Sequence, residues 1–459
     1  MFFAEVPQSF LLHETKMMAH RSAAPMNKLI PTIVALALLL LSCATGDEKV
    51  SADASAPDTL SDLTSASDVS PDQEPVDTAQ LELPEEFVEV AEEVDAETSD
   101  AMSSLCGASS LSEQAHRVTA SANGTQYAQR ANVVWNGEEF AVFHGAVQMR
   151  RFGPTLTELG SMVQVVTQGG LTDYLYSVDA VWTGQEYGLA WFRQVDGVQR
   201  VEFATVSTTG QLLSGPVEVG PAMGFRDLEL VWTGSEYRVI WVQEGAEVEM
   251  WMGFFDGAGG ELRPAASLQR GVAVDTDSLA AAWSGENIGL TWQVGSSLHF
   301  LEVDTDGLRL NAPMTLTTAA LATSRPATTW TGSRYLTVWA GVAAAPGIFG
   351  VMADSSGKGT VFALTDRLAD GDTPRDPELW WTGEELGIVW VGGLATAREV
   401  FFAFADATGA VLAGSTAISA NPSTRELYYP VVSWTGTRYV AAWIQYEEAW
   451  GWFMKGFCP

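Results

Sequence analysis

The sequence is short of cysteine, histidine and positive charge, and each shortage closes off a class of function. Three Cys cannot build a disulfide scaffold, and together with five His they do not furnish a Cys/His zinc module. Lys plus Arg number 24 against 57 Asp plus Glu, a net charge of −33. The cation excess that neutralises nucleic-acid phosphates is therefore missing. No nucleophile elbow, glycine-rich phosphate loop or zinc-protease motif is present. What the chain does have is 17 Trp and 43 Gly in 459 residues, 47% of them hydrophobic. That length would allow about three average domains.

The acid is unevenly placed. Residues 44–105 hold 18 acids and the single base Lys49, whereas residues 106–459 hold 37 acids and 20 bases. Each part sums to −17, so half of the excess charge sits on 62 residues without Trp or Tyr. Self-repulsion and low apolar content leave that stretch nothing with which to offset chain entropy, and it reads as a disordered tether. A flexible chain of this length has an rms span of roughly 45 Å. Upstream, the apolar run at residues 29–41 is too short for a membrane span of about 20 residues but suits the core of an export signal. It ends in Leu40-Leu41-Ser42-Cys43, which resembles a bacterial lipobox with Cys43 as the lipidated residue. The expected organisation is an upstream extension at 1–25, a lipoprotein signal peptide at 26–42, the acidic tether at 43–108 and one folded domain at 109–459.

That domain repeats. Val134-Trp135-Asn136-Gly137 opens the first of seven copies, whose leading tryptophans are Trp135, Trp182, Trp232, Trp283, Trp330, Trp381 and Trp434. Nine residues after each stands a second Trp (Trp191, Trp241, Trp292, Trp339, Trp390, Trp443), except in the first copy, which has His144. Apolar residues alternate on either side of a Thr-Gly-x-x turn, the pattern of a β-hairpin. A third strand such as Val201–Val206 and a fourth such as Pro216–Val219 follow. Four strands in about 50 residues, seven times over, predict an all-β, seven-bladed β-propeller. The last copy lacks its fourth strand, and a spare strand-like piece, His116-Arg117-Val118, precedes the first copy. Ring closure by this piece brings Cys106 near Cys458, and a disulfide there would replace the missing covalent turn; two free thiols are the alternative. Closing about 350 residues removes on the order of 5 kcal/mol of unfolded-chain entropy in the simplest treatment.

The motif W-[TN]-G-x-x-Y-x-[VL]-x-W, together with pieces such as Ile348-Phe349-Gly350-Val351 and D-x-x-G-like turns, resembles the Trp-Gly-Tyr-Trp repeats of secreted bacterial propellers. The resemblance covers roughly residues 113–459. It implies the fold, and it implies surface lipoproteins without an assigned activity; propellers host many unrelated functions.

Chemistry is sparse. The repeated Trp columns are expected to fill the space between blades, leaving Trp251, Trp380, Trp450 and Trp452 as the ligand candidates among aromatics. Asp304-Thr305-Asp306-Gly307 reads as ordinary turn chemistry rather than a calcium loop, and His144 as a buried substitution for Trp. Just before the leading Trp of four copies stand Arg130, Arg226, Arg325 and Arg375. Four arginines from four blades at one channel mouth could hold an anion or carboxylate; the alternative is that they staple neighbouring loops through Arg–Asp pairs. No cofactor, metal or catalytic residue is expected. The reading is a monomeric, lipid-anchored, extracytoplasmic module of the bacterial envelope, on the outer membrane, that binds an unknown protein or glycan without catalysis. The alternative is a propeller glycoside hydrolase or lyase using carboxylates at the channel mouth.

Overall fold

The structure, a computed structural model, describes residues 115–118 and 130–458 apart from 222–223, 225–226, 245–246, 272–273, 276–277, 321–323, 343–345, 366–371, 395–396, 420–425 and 447–449. The expected signal, Cys43, the tether, Cys106 and Arg226 lie outside the described residues.

The described chain forms seven antiparallel sheets arranged as the blades of a propeller. The innermost strands are Asn132–Trp135, Asp173–Trp182, Asp227–Trp232, Ala280–Trp283, Ala327–Trp330, Arg375–Trp381 and Leu427–Trp434, and we number the blades 1 to 7 accordingly. Six sheets have four strands; in blade 5 the outermost strand is split into Gly357–Lys358 and Phe362–Ala363. Blade 7 is completed from the other end of the domain. His116 and Arg117 pair with Met454 and Phe453, and the Val118 amide donates to the Trp452 carbonyl at 2.7 Å. The closing strand expected from sequence is thus in place. The apolar cluster that seals the ring joins Val133, Phe140 and Phe152 of blade 1 to Val431, Ile444 and Trp452 of blade 7.

The hairpin motif has a local physical basis. In blade 2 the Thr183 hydroxyl donates to the Glu186 carbonyl at 2.9 Å and accepts from the Glu186 amide at 3.1 Å. Ser284 does the same in blade 4, and the Asn136 side chain accepts the corresponding amide in blade 1. Only a short oxygen-bearing side chain can close the turn this way. The glycine that follows sits at φ +88° to +103° in all seven blades, a region closed to residues with a Cβ except at a cost. The Asp304 turn follows similar logic: one carboxylate oxygen accepts the amides of Asp306 and Leu308 at 2.9 and 2.8 Å.

The two tryptophan columns separate. The second column is 0–2% exposed in every blade that has it. Five of these rings stack on their cross-strand partners, with Trp241–Trp251 centroids 6.1 Å apart and Trp443–Phe453 6.4 Å apart, and Trp191 instead donates to its partner Glu202 at 3.1 Å. The leading column is only half-buried. In four blades its rings lie at an angle against the tyrosine five residues on, at 4.7 Å for Trp182–Tyr187 and 4.5 Å for Trp434–Tyr439. The sequence reading put both columns in the core; leading rings at strand ends keep an edge toward solvent.

Adjacent blades fit by alternating large and small residues. A Cβ on Gly188 of blade 2 would lie 2.3 Å from the Tyr237 ring of blade 3, and one on Gly387 of blade 6 would lie 2.3 Å from Tyr439 of blade 7. Gly289 of blade 4 faces Tyr335 of blade 5 in the same way, at 2.6 Å. Where the next blade carries Ile288 or Leu386 instead of Tyr, the equivalent position holds Arg238 or Leu336. The volume removed on one side of the interface is thus supplied on the other, as dense interior packing demands.

Candidate functional site: the propeller axis

Strand side chains alternate with period two, so positions one and three before each leading Trp share a face of the innermost strand, as does position five where no bulge intervenes. The last two of these carry most of the unusual polarity. Three residues before the leading Trp stand Asn132, Asp179, Glu229, Ala280, Ala327, Glu378 and Val431 in blades 1 to 7. Five residues before it stand Arg130, Ser177, Asp227, Ser278, Arg325, Asp376 and Tyr429.

Contacts between non-adjacent blades show that these side chains meet across the axis. The Arg130 guanidinium of blade 1 pairs with Glu378 of blade 6 at 2.8 Å and with Glu229 of blade 3 at 3.7 Å. From blade 5, Arg325 pairs with Glu229 and, at 3.5 Å, with Asp227; it also donates to the Leu279 carbonyl of blade 4 at 2.8 Å. Glu229 is therefore held from two sides of the ring. Other polar groups tie neighbours together. Asp227 accepts the Leu279 amide and Asp179 the Leu230 amide, each at 2.7 Å, while the Asn132 side chain donates to the Val178 carbonyl at 2.7 Å.

Three innermost strands are bulged here, between Tyr176 and Asp179, Arg375 and Glu378, and Tyr428 and Val431. Each bulge places a non-glycine residue in the left-handed region: Ser177, Asp376 and Tyr429 at φ 50–51°. Such conformations cost on the order of 1 kcal/mol or more and re-aim side chains.

Electrostatically the axis is crowded with carboxylates. Burial pushes Glu229 well above the usual carboxylate range, against the pull of Arg325 and Arg130 and with Asp179 and Asp227 adding to the rise. Burial also raises Asp179, despite Arg130 and the amides it accepts, and raises Asp376 despite Arg375. Groups held this way bind protons readily and respond to any cation that approaches.

Of the four arginines singled out from sequence, the structure brings Arg130 and Arg325 together on Glu229. Arg375, six residues before its leading Trp and beyond the blade 6 bulge, makes its contacts elsewhere. It donates to the Leu427 carbonyl of blade 7, lies 4.3 Å above the Tyr428 ring and is 3.9 Å from Asp376. Arg226 lies outside the described residues. The contacts seen are ion pairs within the ring, made between non-adjacent blades rather than between neighbouring loops. The partner carboxylates Glu229 and Glu378 were not singled out by sequence reasoning. The signal was available: the position three before the leading Trp is polar in four copies, within strands that are otherwise mostly apolar.

The off-column tryptophans also divide. Trp452 is 1% exposed in the seal between blades 7 and 1, and Trp251 is half-buried against Trp241. The Trp450 side chain lies outside the described set. Trp380 is 39% exposed, on the innermost strand of blade 6. The other blades hold Val134, Val181, Val231, Ala282, Thr329 and Ser433 at that position. His144 is 2% exposed, as expected for a residue that stands in for a core Trp, and burial together with Arg150 lowers its pKa to about 4.

No protein-family model matches the chain, and no curated protein does. Solved structures align with the chain at low identity. A prolyl endopeptidase studied for inter-domain dynamics in catalysis and specificity aligns over 79% of this chain at 10% identity, with a TM-score of 0.45; the chain spans 54% of its length. The Dos1 propeller aligns over 70% of this chain and 76% of its own, at 12% identity and a TM-score of 0.41. The β-propeller domain of Cps50 (Swd1) from Myceliophteria thermophila aligns over 73% and 98%, at 11% identity and a TM-score of 0.45. Likeness at this level carries no argument about function.

Proposed function

We propose that the chain is a lipid-anchored envelope protein whose propeller binds a ligand at its axis without catalysis. One observation carries the reading. Blade interfaces vary only by complementary exchange of volume, whereas the axial positions three and five before the leading Trp break the repeat with buried charge and strained backbone. Residues that serve only the fold recur in every blade; those that break sevenfold symmetry where the strands converge are the ones a ligand would select. Anchoring through Cys43, export, the tether, a monomeric state and a Cys106–Cys458 clasp belong to the same proposal, supported by the sequence order of signal, lipobox-like Cys and acidic linker. An anion seated on Arg130 and Arg325 would have to displace Glu378 and Glu229, and four carboxylates against two guanidiniums favour a neutral or cationic ligand over an anionic one. Glycan and peptide arrays probed with the mature chain test the reading. A captured ligand should be lost on Glu229→Gln with Glu378→Gln; a ligand retained by that double variant removes the axis from the proposal. Labelled palmitate incorporation that survives Cys43→Ser removes the anchor.

A second reading draws on Glu229 and Glu378 sharing one guanidinium. One carboxyl held above the usual range beside a second carboxylate is the arrangement of glycoside hydrolysis. Turnover of chromogenic glycosides or polysaccharides that is abolished by Glu229→Gln would establish it, and absence of turnover across a substrate panel would exclude it.

A further inference from the structure

The innermost strand of blade 6 puts an exposed aromatic ring beside the axial carboxylates. Glu378 and Trp380 are two residues apart on the strand Arg375–Trp381 and so share a face, roughly 7 Å apart along it. Trp380 is 39% exposed although its blade equivalents are Val, Ala, Thr or Ser, so interface packing does not call for a ring there. The free edge of an innermost strand faces the channel, and Trp380 stands on that strand. Glu378 itself is one-fifth exposed. Among the described residues, the cluster that meets across the axis comprises four carboxylates, Asp179, Asp227, Glu229 and Glu378, and two guanidiniums, Arg130 and Arg325. The axis already accepts this kind of cation: the guanidiniums of Arg130 and Arg325 both sit against Glu229.

We infer that the channel beside Trp380 takes a guanidinium cation, an arginine side chain of an extended basic segment, stacked on the indole and paired with Glu378. A guanidinium is planar, so it can lie on a ring face while its N–H groups reach a carboxylate. An ammonium offers neither the flat face nor the forked donors. The inference rests on the reading of the axis as a ligand site and supplies that ligand's chemical class.

The probes are free arginine and a fluorescent peptide of three arginines flanked by glycines, with a trilysine peptide as comparison, measured by anisotropy and by Trp quenching on the mature chain. The arginine peptide should bind saturably, at least about fivefold tighter than the lysine peptide and more weakly as salt is raised. Trp380→Val should weaken it about tenfold while Trp380→Phe stays within about threefold. Val is the residue blades 1 to 3 hold at this position, so the variant is expected to fold, and thermal melting checks it. Should it not fold, Glu378→Gln gives the same readout, again about tenfold weaker. Displacement of the peptide by free arginine indicates that the side chain suffices; peptide binding that free arginine does not displace overturns the assignment to guanidinium. Equal binding by wild type and Trp380→Val, or no saturable arginine-peptide binding, also overturns it. If a glycan or other peptide from the arrays still needs Glu229 and Glu378, the axis reading stands while the guanidinium assignment falls.

Discussion

Replacing Gly289 by Ala tests the interlock between blades most directly. A Cβ at this position would stand 2.6, 2.7 and 2.8 Å from Cδ1, Cε1 and Cγ of Tyr335, and the ring has little room to retreat. Tyr335 is fully buried, edge-on to Trp330 at 4.9 Å and tilted against Phe300 at 5.5 Å, with its hydroxyl donating to the Asn287 carbonyl at 2.8 Å. Overpacking of this kind costs about 1–3 kcal/mol, and pulling the hydroxyl off its carbonyl adds about 1 kcal/mol. Against this, Ala gains about 0.5–1 kcal/mol over Gly in a strand through reduced chain entropy. The expected net destabilisation is about 2 kcal/mol, read as a fall in denaturation midpoint in urea. The decisive measurement is a double-mutant cycle with Tyr335→Leu, which imitates the Leu336–Leu386 interface one blade on. In that background Gly289→Ala should be neutral or stabilising. If it costs the same in both backgrounds, steric complementarity between Gly and Tyr is not what fits the blades together.

Three further outcomes are expected. His144 is held neutral, with its pKa lowered to about 4 from 6.5, so its contribution is intact above pH 6.5 and is lost as pH falls toward 4. That loss amounts to about 3 kcal/mol, and His144→Phe should flatten the acid limb of stability between those values; an unchanged limb would contradict it. Glu229 has its folded pKa raised, so the stabilisation from holding it neutral is present below the ordinary glutamate range and lost as pH rises through the raised value. The melting temperature of Glu229→Gln relative to wild type should therefore climb with pH, and a relative fall would refute the burial argument. Cys106→Ser and Cys458→Ser should each lower stability by a similar amount, about 3–5 kcal/mol, with no further loss in the double variant. A non-reducing peptide map that finds the two unlinked removes the clasp.

The ring was legible because each blade restates the same turn chemistry, and the spare strand at His116 could be matched to a vacancy by counting. The site was less legible, for reasons of phase. Arg130 and Arg375 look alike as residues just ahead of a Trp, but a bulge between Arg375 and Glu378 shifts the count by one residue in blade 6, and only Arg130 reaches Glu229 while Arg375 goes to Leu427. The partner carboxylates escaped notice because no motif contains them. They become visible only when the seven copies are aligned and the column three before the Trp is read down rather than along. Trp380 was picked out for lying off the columns, yet Trp251 and Trp452 shared that distinction, and the first is half-buried against Trp241 while the second is packed into the interior. Exposure, which separates them, depends on neighbours far away in sequence.

The short closing strand also has a mechanical side. A pull transmitted along the chain from upstream would reach the propeller at His116 and Arg117, a two-residue strand that could peel from Phe453 and Met454 one hydrogen bond at a time. If Cys106 is joined to Cys458, the load leaves the chain ten residues before that strand and enters the longer strand Trp450–Phe457, which is paired along its whole length with Tyr439–Tyr446. The tension then acts in shear on many bonds at once. The ring would stay shut under forces that would otherwise unzip it.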